Sequence, residues 1–325
     1  MLTAQYPPFR PVTLCSDPHL QTIGAAYVRG KMSDYRAVKH LVRLNDDDRL
    51  VIHDDQPSTW ITGDRIAIMI PGLCGSHASP YMRRTSDKLR RNGIRTIRVD
   101  LRGLGDSKFI SHNHMYAGCT HDIESVIAKV LQLSPLSKLS LIGYSLGGAI
   151  LLRLLGEWGS RFPRAVDSAI SVSPPIDLLH SSWNLRQRGN RMYDHFFIRQ
   201  LQEVLTTRRQ RVADLVDNGL SPLPNRLLHF DDQFVAPIWG FRSAVDYYEQ
   251  TSAGPLLDNV SIPTILVAAK DDPIVPFEQY QNWTMSRYVE MVATKQGGHL
   301  GFLGRTSDPD RHWLDWRVCH WVTAL

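Results

Sequence analysis

The stretch Gly143-Tyr144-Ser145-Leu146-Gly147 decides the fold of this chain, because it joins an apolar, strand-like run (139–142) directly to a helix-like run (148–155). Small residues around a serine permit a turn tight enough to hold the serine hydroxyl clear of a parallel sheet. The helix that begins behind the serine presents backbone N–H groups where a negatively charged oxygen would form. The pattern predicts a nucleophile elbow, with Ser145 as the candidate nucleophile.

Two further kinds of chemical group follow downstream, each after a predicted strand. A buried strand over 263–269 precedes Asp271 and Asp272, and a last strand over 288–293 leads to His299 on a glycine-rich loop. Side chains that follow the carboxyl ends of parallel strands meet at one edge of the sheet. A histidine there can take the proton of a serine hydroxyl, and a carboxylate can fix the histidine tautomer. We therefore predict a catalytic serine, histidine and aspartate, with either adjacent aspartate open as the acid.

An acyl-transfer site also needs two N–H donors for the oxyanion. The first is expected from Leu146, the residue after the nucleophile, and the second from the loop after an early strand. The apolar run 66–70 is that strand, and Pro71-Gly72-Leu73-Cys74-Gly75-Ser76 is that loop. Cys74 is expected to be a small buried residue.

The chain resembles the α/β-hydrolase superfamily and, within it, the YheT-like branch. The matching segments span nearly the whole chain in the expected order: His19-Leu20-Gln21-Thr22, Pro71-Gly72-Leu73, Asp100-Leu101-Arg102-Gly103, Gly143 to Gly148, the GFRSAVDYY segment (240–248), Asp271-Asp272-Pro273 and Gly297-Gly298-His299. The resemblance implies hydrolysis or transfer of acyl groups, including esters and, in eukaryotic relatives, lipids. It favours Asp272 as the triad acid, because Asp272-Pro273-Ile274-Val275-Pro276 is similar to the turn after this strand in such hydrolases. Pro71-Gly72 stands where many similar hydrolases carry His-Gly, and this resemblance implies Leu73 as the second N–H donor to the oxyanion.

The alternation of predicted elements indicates an α/β class fold. Strands alternate with helices over 81–92 and 120–133, which predicts a mostly parallel central sheet flanked by helices, with an antiparallel hairpin (38–44 and 50–54) at one edge. The alternation stops after 174. We predict a catalytic core over 1–174 and 259–325 and an aromatic-rich helical cap or lid insertion over 175–258, which could close an apolar acyl pocket over the serine.

Composition restricts the class of partner and the compartment. The net charge is only +5, and the basic residues of 80–108 are expected on a solvated helix face, so no nucleic-acid partner is predicted. No signal peptide or transmembrane segment is predicted, although peripheral membrane contact stays open, as does the oligomeric state. Four well-separated cysteines favour reduced thiols in the cytoplasm. No cofactor or metal is predicted, because the His112/His114 pair and the aspartates 46–48 lack a full ligand set.

The leading functional hypothesis is a serine esterase that acts through an acyl-enzyme intermediate. Its expected substrates are carboxylic esters that have a short- to medium-chain acyl group or are lipid-like. An acyltransferase or thioesterase that uses the same nucleophile is the near alternative. A non-catalytic ligand receptor on the same fold is disfavoured, because a receptor has no need of Ser145, Asp272 and His299 together. Epoxide hydrolase and dehalogenase chemistry is disfavoured because Ser145 stands where those enzymes use aspartate.

Overall fold

A computed structural model describes residues 8–13, 15–28, 37–207, 224–305 and 311–324 of the chain. Within these ranges one mixed sheet of eight strands runs through the molecule in the order β1-β2-β4-β3-β5-β6-β7-β8. The strands are β1 Val38–Arg43, β2 Arg49–Asp55, β3 Ile66–Ile70, β4 Arg95–Asp100, β5 Leu139–Tyr144, β6 Val166–Val172, β7 Thr264–Ala269 and β8 Val289–Thr294.

The pairing of the strands confirms the predicted fold class. β2 pairs antiparallel with β1 and with β4, and the remaining neighbours, from β4 to β8, are all parallel. The central strands β3, β4 and β5 are buried along their whole length. Helices cover both faces of such a sheet, so its strands can be continuously apolar instead of alternating.

Helices pack on the two faces of the sheet and also lie in the described part of the segment between β6 and β7. They are α1 Pro18–Tyr27, α2 Pro80–Arg91, α3 Thr120–Leu133, α4 Leu146–Trp158, α5 Leu178–Leu185, α6 Arg191–Thr207, α7 Leu227–Phe230, α8 Ala236–Ile238, α9 Ala244–Thr251 and α10 Trp313–Thr323. Met82 of α2 and Trp321 of α10 belong to the core on one face, whereas Ile123 of α3 and Ile150 of α4 belong to the core on the other.

The segment between β6 and β7 is described over 173–207 and 224–263. It contains α5 to α9 and no strand within these described ranges. A π-helical turn, Asp231–Val235, joins α7 to α8. The rest of the predicted insertion, 208–223, lies outside the described residues.

Most element boundaries agree with the sequence-based expectations to within a few residues. The edge hairpin is β1 and β2, and the strand 66–70 and the helix 120–133 are found with the predicted bounds. The helix α1 was not predicted. Its buried side chains are those of Gln21 and Ala25, whereas Leu20 and Ile23 are exposed, so it lacks the apolar stripe by which a helix is recognised in a sequence.

The prediction that the basic residues of α2 form a solvated face is wrong for Arg84. Its side chain is only 5% exposed, and its Nε lies 2.5 Å from Oδ2 of Asp315 in α10, which is 1% exposed. Arg83, its neighbour in the sequence, is exposed. A buried guanidinium requires a carboxylate partner, and α10 supplies that partner from more than two hundred residues away.

None of the described helices combines the length and the apolar character that a membrane span requires.

We expect Arg84→Met to lower the free energy of unfolding by about 3–5 kcal/mol, because it leaves the Asp315 carboxylate buried without its partner. The double variant Arg84→Met/Asp315→Leu should recover much of that loss, since it removes both charges. Urea unfolding followed by circular dichroism measures the difference. Arg83→Met is the matched control and should change stability by less than about 0.5 kcal/mol. Equal losses in Arg84→Met and Arg83→Met would contradict the assignment of the buried ion pair.

Candidate active site

Ser145 lies at the junction of β5 and α4, in a backbone conformation that few non-glycine residues adopt. Its φ is +50° and its ψ is −122°. Its N–H donates to the carbonyl oxygen of Val172 at 2.7 Å, and its own carbonyl accepts from the N–H groups of Gly148 and Ala149. Such a conformation costs on the order of 1–3 kcal/mol and persists only where its surroundings enforce it.

The glycines of the elbow are required by close packing. A Cβ added to Gly147 would lie 2.3 Å from the carbonyl oxygen of Pro71 and 2.5 Å from that of Ile70. A Cβ on Gly143 would lie 2.5 Å from the carbonyl oxygen of Gly147. The G-x-S-x-G spacing therefore lets the turn approach the end of β3, and it holds Ser145 at the carboxyl edge of the sheet.

The structure brings the three predicted triad side chains together. Nε2 of His299 lies 2.8 Å from Oγ of Ser145, and Nδ1 of His299 lies 2.9 Å from Oδ2 of Asp272. The other carboxylate oxygen of Asp272 accepts from the N–H groups of Ile274 and Val275, both at 2.9 Å. This arrangement can pass the hydroxyl proton to the imidazole while the carboxylate holds the ring in one tautomer.

Asp271, the alternative acid, is hydrogen-bonded to the main chain of the histidine loop and not to the His299 imidazole. Its Oδ1 accepts from the N–H of Gly298 at 3.0 Å, which attaches it to the loop that carries His299. Burial raises the pKa of the Asp271 carboxyl. Asp271 therefore contacts the backbone of the histidine loop, whereas Asp272 contacts the imidazole itself.

Helix α1 clamps the loop that carries His299. Oγ1 of Thr22 accepts from the His299 N–H at 2.8 Å, and Oε1 of Gln21 accepts from the Leu303 N–H at 2.7 Å. The helix approaches so closely that a Cβ on Gly298, whose φ is +58°, would lie 2.5 Å from the carbonyl oxygen of Pro18. The position of the histidine main chain is thus fixed by a helix at the other end of the sequence.

The loop after β3 is held in a tight turn beside the serine. The Gly75 N–H donates to the Gly72 carbonyl at 2.9 Å, and the Gly72 N–H donates to the hydroxyl of Tyr81 at 3.0 Å. A Cβ on Gly72 would lie 3.0 Å from Cβ of Ser145, so the two turns are in contact. Leu73 in this loop and Leu146, the first residue of α4, line the same pocket as Ser145. Gly148 and Ala149 of α4 donate to the Ser145 carbonyl, whereas the N–H of Leu146, the first residue of the helix, has no acceptor within the helix itself.

A pocket with about 710 Å³ of empty space, its open mouth included, lies over Ser145. Its walls are mostly apolar, and most of the lining residues come from the segment between β6 and β7. Those from α5 and α6 include Leu178, Leu185, Phe197 and Leu201. This size and character suit a small ligand with an apolar portion.

One wall of the pocket carries a buried carboxyl group. Asp231 lines the pocket, and its Oδ2 accepts from the hydroxyl of Tyr248, with the two oxygens 2.5 Å apart. Burial raises the pKa of Asp231 to about 7, and the nearby Asp194 and Asp232 act in the same direction. Near neutral pH this group can therefore donate a hydrogen bond as well as accept one.

Sequence reasoning missed the site contacts of Thr22, Gln21 and Asp231. Gln21 and Thr22 lie in the His19-Leu20-Gln21-Thr22 segment, which the sequence analysis used only for its resemblance and not for a role. His19, in the same segment, has its Nδ1 2.9 Å from the hydroxyl of Tyr193 in α6. No local pattern in this segment indicates which loop the helix contacts, because those contacts lie more than 270 residues along the chain.

Four of the aromatic residues expected in the insertion line the pocket, namely Phe197, Phe230, Tyr247 and Tyr248. Trp183 and Phe196 are instead more than half exposed. The sequence gives the aromatic content of this segment, and the packing of α5 and α6 decides which side each ring faces.

Comparison with known proteins agrees with this architecture. A family model described as the α/β hydrolase fold matches residues 68–306. The chain is 28% identical to YheT of Escherichia coli (strain K12) over 99% of its own length and 94% of that protein. It is 26% identical to the monoacylglycerol lipase ABHD2 of Homo sapiens over its whole length and 81% of the relative.

A solved structure shares the fold at low sequence identity. The esterase Pf2001 of Pyrococcus furiosus superposes with a TM-score of 0.57 at 18% identity, over 91% of this chain and 97% of that one. The resemblance inferred from the sequence motifs is thereby confirmed. The chain belongs to the α/β hydrolase fold family, and within it the chain is YheT-like.

Proposed function

We propose that this protein is a serine esterase that cleaves carboxylic esters with an apolar, lipid-like acyl or alcohol portion. The observation that carries the proposal is the chain of two hydrogen bonds from Oγ of Ser145 through the His299 imidazole to Asp272, at 2.8 and 2.9 Å, beneath a mostly apolar pocket. Relatives support the reaction class, since ABHD2 of Homo sapiens and a similar protein of Saccharomyces cerevisiae are named monoacylglycerol lipases.

The proposed reaction has two half-reactions. Ser145 Oγ attacks the ester carbonyl carbon as His299 Nε2 takes its proton, and Asp272 stabilises the imidazolium that results. The tetrahedral intermediate collapses when His299 gives the proton to the departing alcohol, which leaves an acyl-enzyme on Ser145. A water molecule, deprotonated by His299, then attacks the acyl carbonyl and releases the carboxylic acid. The N–H groups of Leu73 and Leu146 are the proposed donors to the oxyanion in both steps.

We further propose that 175–258 forms a cap on a core made of 1–174 and 259–325. The residues that line the pocket support this division, because many of them come from α5, α6, α7 and α9, which form the wall above Ser145. Such a cap excludes water from the acyl portion and sets the chain length that the pocket accepts. The polar group at Asp231 on the same wall suits a substrate that carries a hydroxyl as well as an apolar chain.

An acyltransferase or thioesterase would share the first half-reaction. In an acyltransferase an alcohol or thiol takes the place of water as the acceptor of the second step, whereas in a thioesterase a thiol takes the place of the alcohol as the leaving group of the first. Covalent labelling detects the nucleophile in every case, whereas steady turnover of oxygen esters with water as the acceptor distinguishes the esterase.

We expect wild-type protein to hydrolyse p-nitrophenyl esters, and Ser145→Ala to lose at least about 10⁴-fold in kcat because the attacking oxygen is absent. Release of p-nitrophenol from acetate to palmitate esters measures this loss, and the profile over chain length reports the reach of the pocket. A fluorophosphonate probe should label wild type and not the variant. Ser181→Ala, which alters another serine of the same pocket, is the matched control and should keep turnover and labelling. Folded wild-type protein that shows neither signal would overturn the proposal.

The adjacent aspartates should respond very differently to the same substitution. Asp272→Asn should lower kcat on the order of 10⁴-fold, because an amide N–H next to Nδ1 favours the wrong imidazole tautomer. Asp271→Asn should cost less than about tenfold, since the asparagine Oδ1 still accepts from the Gly298 N–H. Each variant is the other's control, and kcat/KM on the best p-nitrophenyl ester decides between them. The reverse order of losses would make Asp271 the acid.

Peripheral membrane contact is part of the proposal and is supported by the outer surface of α5 and α6. Trp183, Met192 and Phe196 expose 55%, 49% and 54% of their surface there. The same two helices line the pocket with their other sides, through residues such as Leu185 and Leu201. An apolar surface on the back of a pocket wall is placed to meet the interface at which lipid esters accumulate.

Positive charge surrounds these apolar groups. Four exposed arginines, Arg186, Arg188, Arg191 and Arg199, lie on the same stretch. Of the two acidic residues in α5 and α6, Asp194 is buried, and Glu203 is exposed towards the end of α6. Exposed aromatic rings among arginines match an anionic lipid surface, because the rings enter the headgroup region and the guanidinium groups meet lipid phosphates.

We expect the protein to co-sediment with phosphatidylglycerol vesicles more strongly than with phosphatidylcholine vesicles. Arg188→Gln should weaken binding to the anionic vesicles roughly fivefold, and Trp183→Ala/Phe196→Ala should weaken binding to both kinds. Leu136→Ala is the control, because Leu136 is also exposed but precedes β5 at the opposite edge of the sheet from Ser145. Equal partition of all variants would contradict membrane contact through this surface.

A cytoplasmic location is proposed as well. Cys15, Cys74, Cys119 and Cys319 are all free thiols, which suits a reducing compartment. Burial also raises the pKa of the Cys119 thiol, which keeps it protonated and unreactive.

A further inference from the structure

Four side chains with metal-binding atoms meet at the carboxyl edge of the sheet, outside the pocket over Ser145. His53 lies on β2, Asp100 ends β4, His77 follows the loop after β3, and Asp106 lies in the 3₁₀ turn Gly105–Phe109. One ligand atom from each lies within 4.8 Å of the other three. Among the described residues, this is the group of histidine, cysteine and carboxylate side chains gathered closely enough to hold one ion.

The separations between these atoms are close to those of a tetrahedral site. Nδ1 of His77 lies 2.7 Å and Nε2 of His53 lies 3.0 Å from Oδ2 of Asp100. Nε2 of His53 also lies 3.5 Å from Oδ2 of Asp106. A tetrahedral zinc ion with ligands at about 2.0–2.2 Å requires ligand atoms roughly 3.3–3.6 Å apart. Shifts of well under 1 Å would bring these pairs to that spacing.

Burial makes the Asp100 carboxylate a good match for a cation, whereas the Asp106 side chain is 29% exposed. The side chain of Asp100 is fully buried and that of His53 is 3% exposed. Buried carboxylates are costly without a compensating charge. A divalent ion balances the charges of Asp100 and Asp106, and both histidines then serve as neutral ligands.

The positions of the ligands are already held by the surrounding main chain. The N–H of His77 donates to Oδ1 of Asp100 at 2.7 Å, and the N–H of Asp106 donates to Oδ2 of Asp100 at 2.8 Å. The two imidazole rings are stacked, with centroids 3.4 Å apart. The contact at Oδ1 of Asp100 leaves Oδ2 as the ligand atom and orients the carboxylate, as outer contacts do in metal sites.

We propose that His53, His77, Asp100 and Asp106 form a structural site for a divalent transition-metal ion of the zinc type. Two imidazole nitrogens and two carboxylate oxygens suit zinc, cobalt and nickel, whereas magnesium and calcium prefer ligand sets made of oxygen alone. The ion would join β2, β4 and the loop after β3, which carries Leu73, and would stabilise this edge of the sheet. No sequence motif points to this site, because His53 and His77 are 24 residues apart and match no ligand spacing.

Lys39 is the competitor for this site. Its Nζ lies 2.6 Å from Oδ2 of Asp106, and its side chain is 64% exposed on the edge strand β1. The ammonium group occupies the charge position that a metal ion would take, and a flexible exposed side chain can withdraw when the ion binds. Removal of this amine should therefore strengthen metal binding.

The test measures metal binding directly. We expect dialysed protein to bind one equivalent of Zn²⁺ in isothermal titration calorimetry, and to bind Co²⁺ with the intense visible absorption of a tetrahedral site. His77→Asn and Asp106→Asn, at the less buried ligands, should weaken Zn²⁺ binding at least about tenfold. Lys39→Met should tighten it roughly two- to fivefold. His121→Ala, at an exposed histidine of α3 whose Nδ1 lies 2.7 Å from Oε2 of Glu124, is the control and should leave binding unchanged.

The opposite results would overturn the site. A wild type without stoichiometric Zn²⁺ binding would leave the four side chains as a hydrogen-bonded network only. The same conclusion would follow if His77→Asn and Lys39→Met both bound Zn²⁺ as wild type does. Because the readout is metal binding by folded protein, as checked by circular dichroism, its outcome is independent of the proposed esterase activity.

Discussion

The close approach of the β5–α4 turn to the end of β3 is the constraint on which the site depends. Ser145 adopts a φ of +50° because Gly147 packs against the carbonyl oxygens of Ile70 and Pro71. Three strands meet at this point, since the Ser145 N–H is bonded to the end of β6. The packing of the parallel sheet thus offsets the energetic cost of the strained backbone at Ser145. It also directs the Ser145 hydroxyl towards the edge of the sheet where the other loops converge.

The second half of the site is built from the two ends of the described chain. His299 is placed by hydrogen bonds and close contacts from α1, and α1 is joined to α2 through a contact of Arg84 with the Ala25 carbonyl at 3.4 Å. Arg84 in turn pairs with Asp315 in α10. Polar contacts therefore link α10 and α2 to α1, and link α1 to the main chain of His299. A loop rich in glycine needs such external support to hold one conformation.

Helices α5 and α6 combine two roles in one layer. Their inner sides line the pocket above Ser145, and their outer sides expose aromatic rings among arginines. His19 of α1 is hydrogen-bonded to Tyr193 of α6, so the layer also contacts the helix that holds His299. On the proposed function, the same elements that select the acyl chain would lie against the surface from which a lipid ester enters.

The sequence by itself determined the parallel sheet, the elbow at Ser145 and the order of the candidate groups along the chain. These features are local: a run of apolar residues, a glycine on each side of a serine, and polar residues directly after predicted strands. It favoured Asp272 over Asp271 only by resemblance, because adjacent carboxylates on one turn look alike until the turn is folded. Only the tertiary structure decided which aspartate meets His299, that Thr22 and Gln21 hold the histidine loop, and that His53 and His77 meet at Asp100. These contacts join residues far apart in the sequence, and their geometry follows from the packing of the whole sheet, which no local pattern encodes.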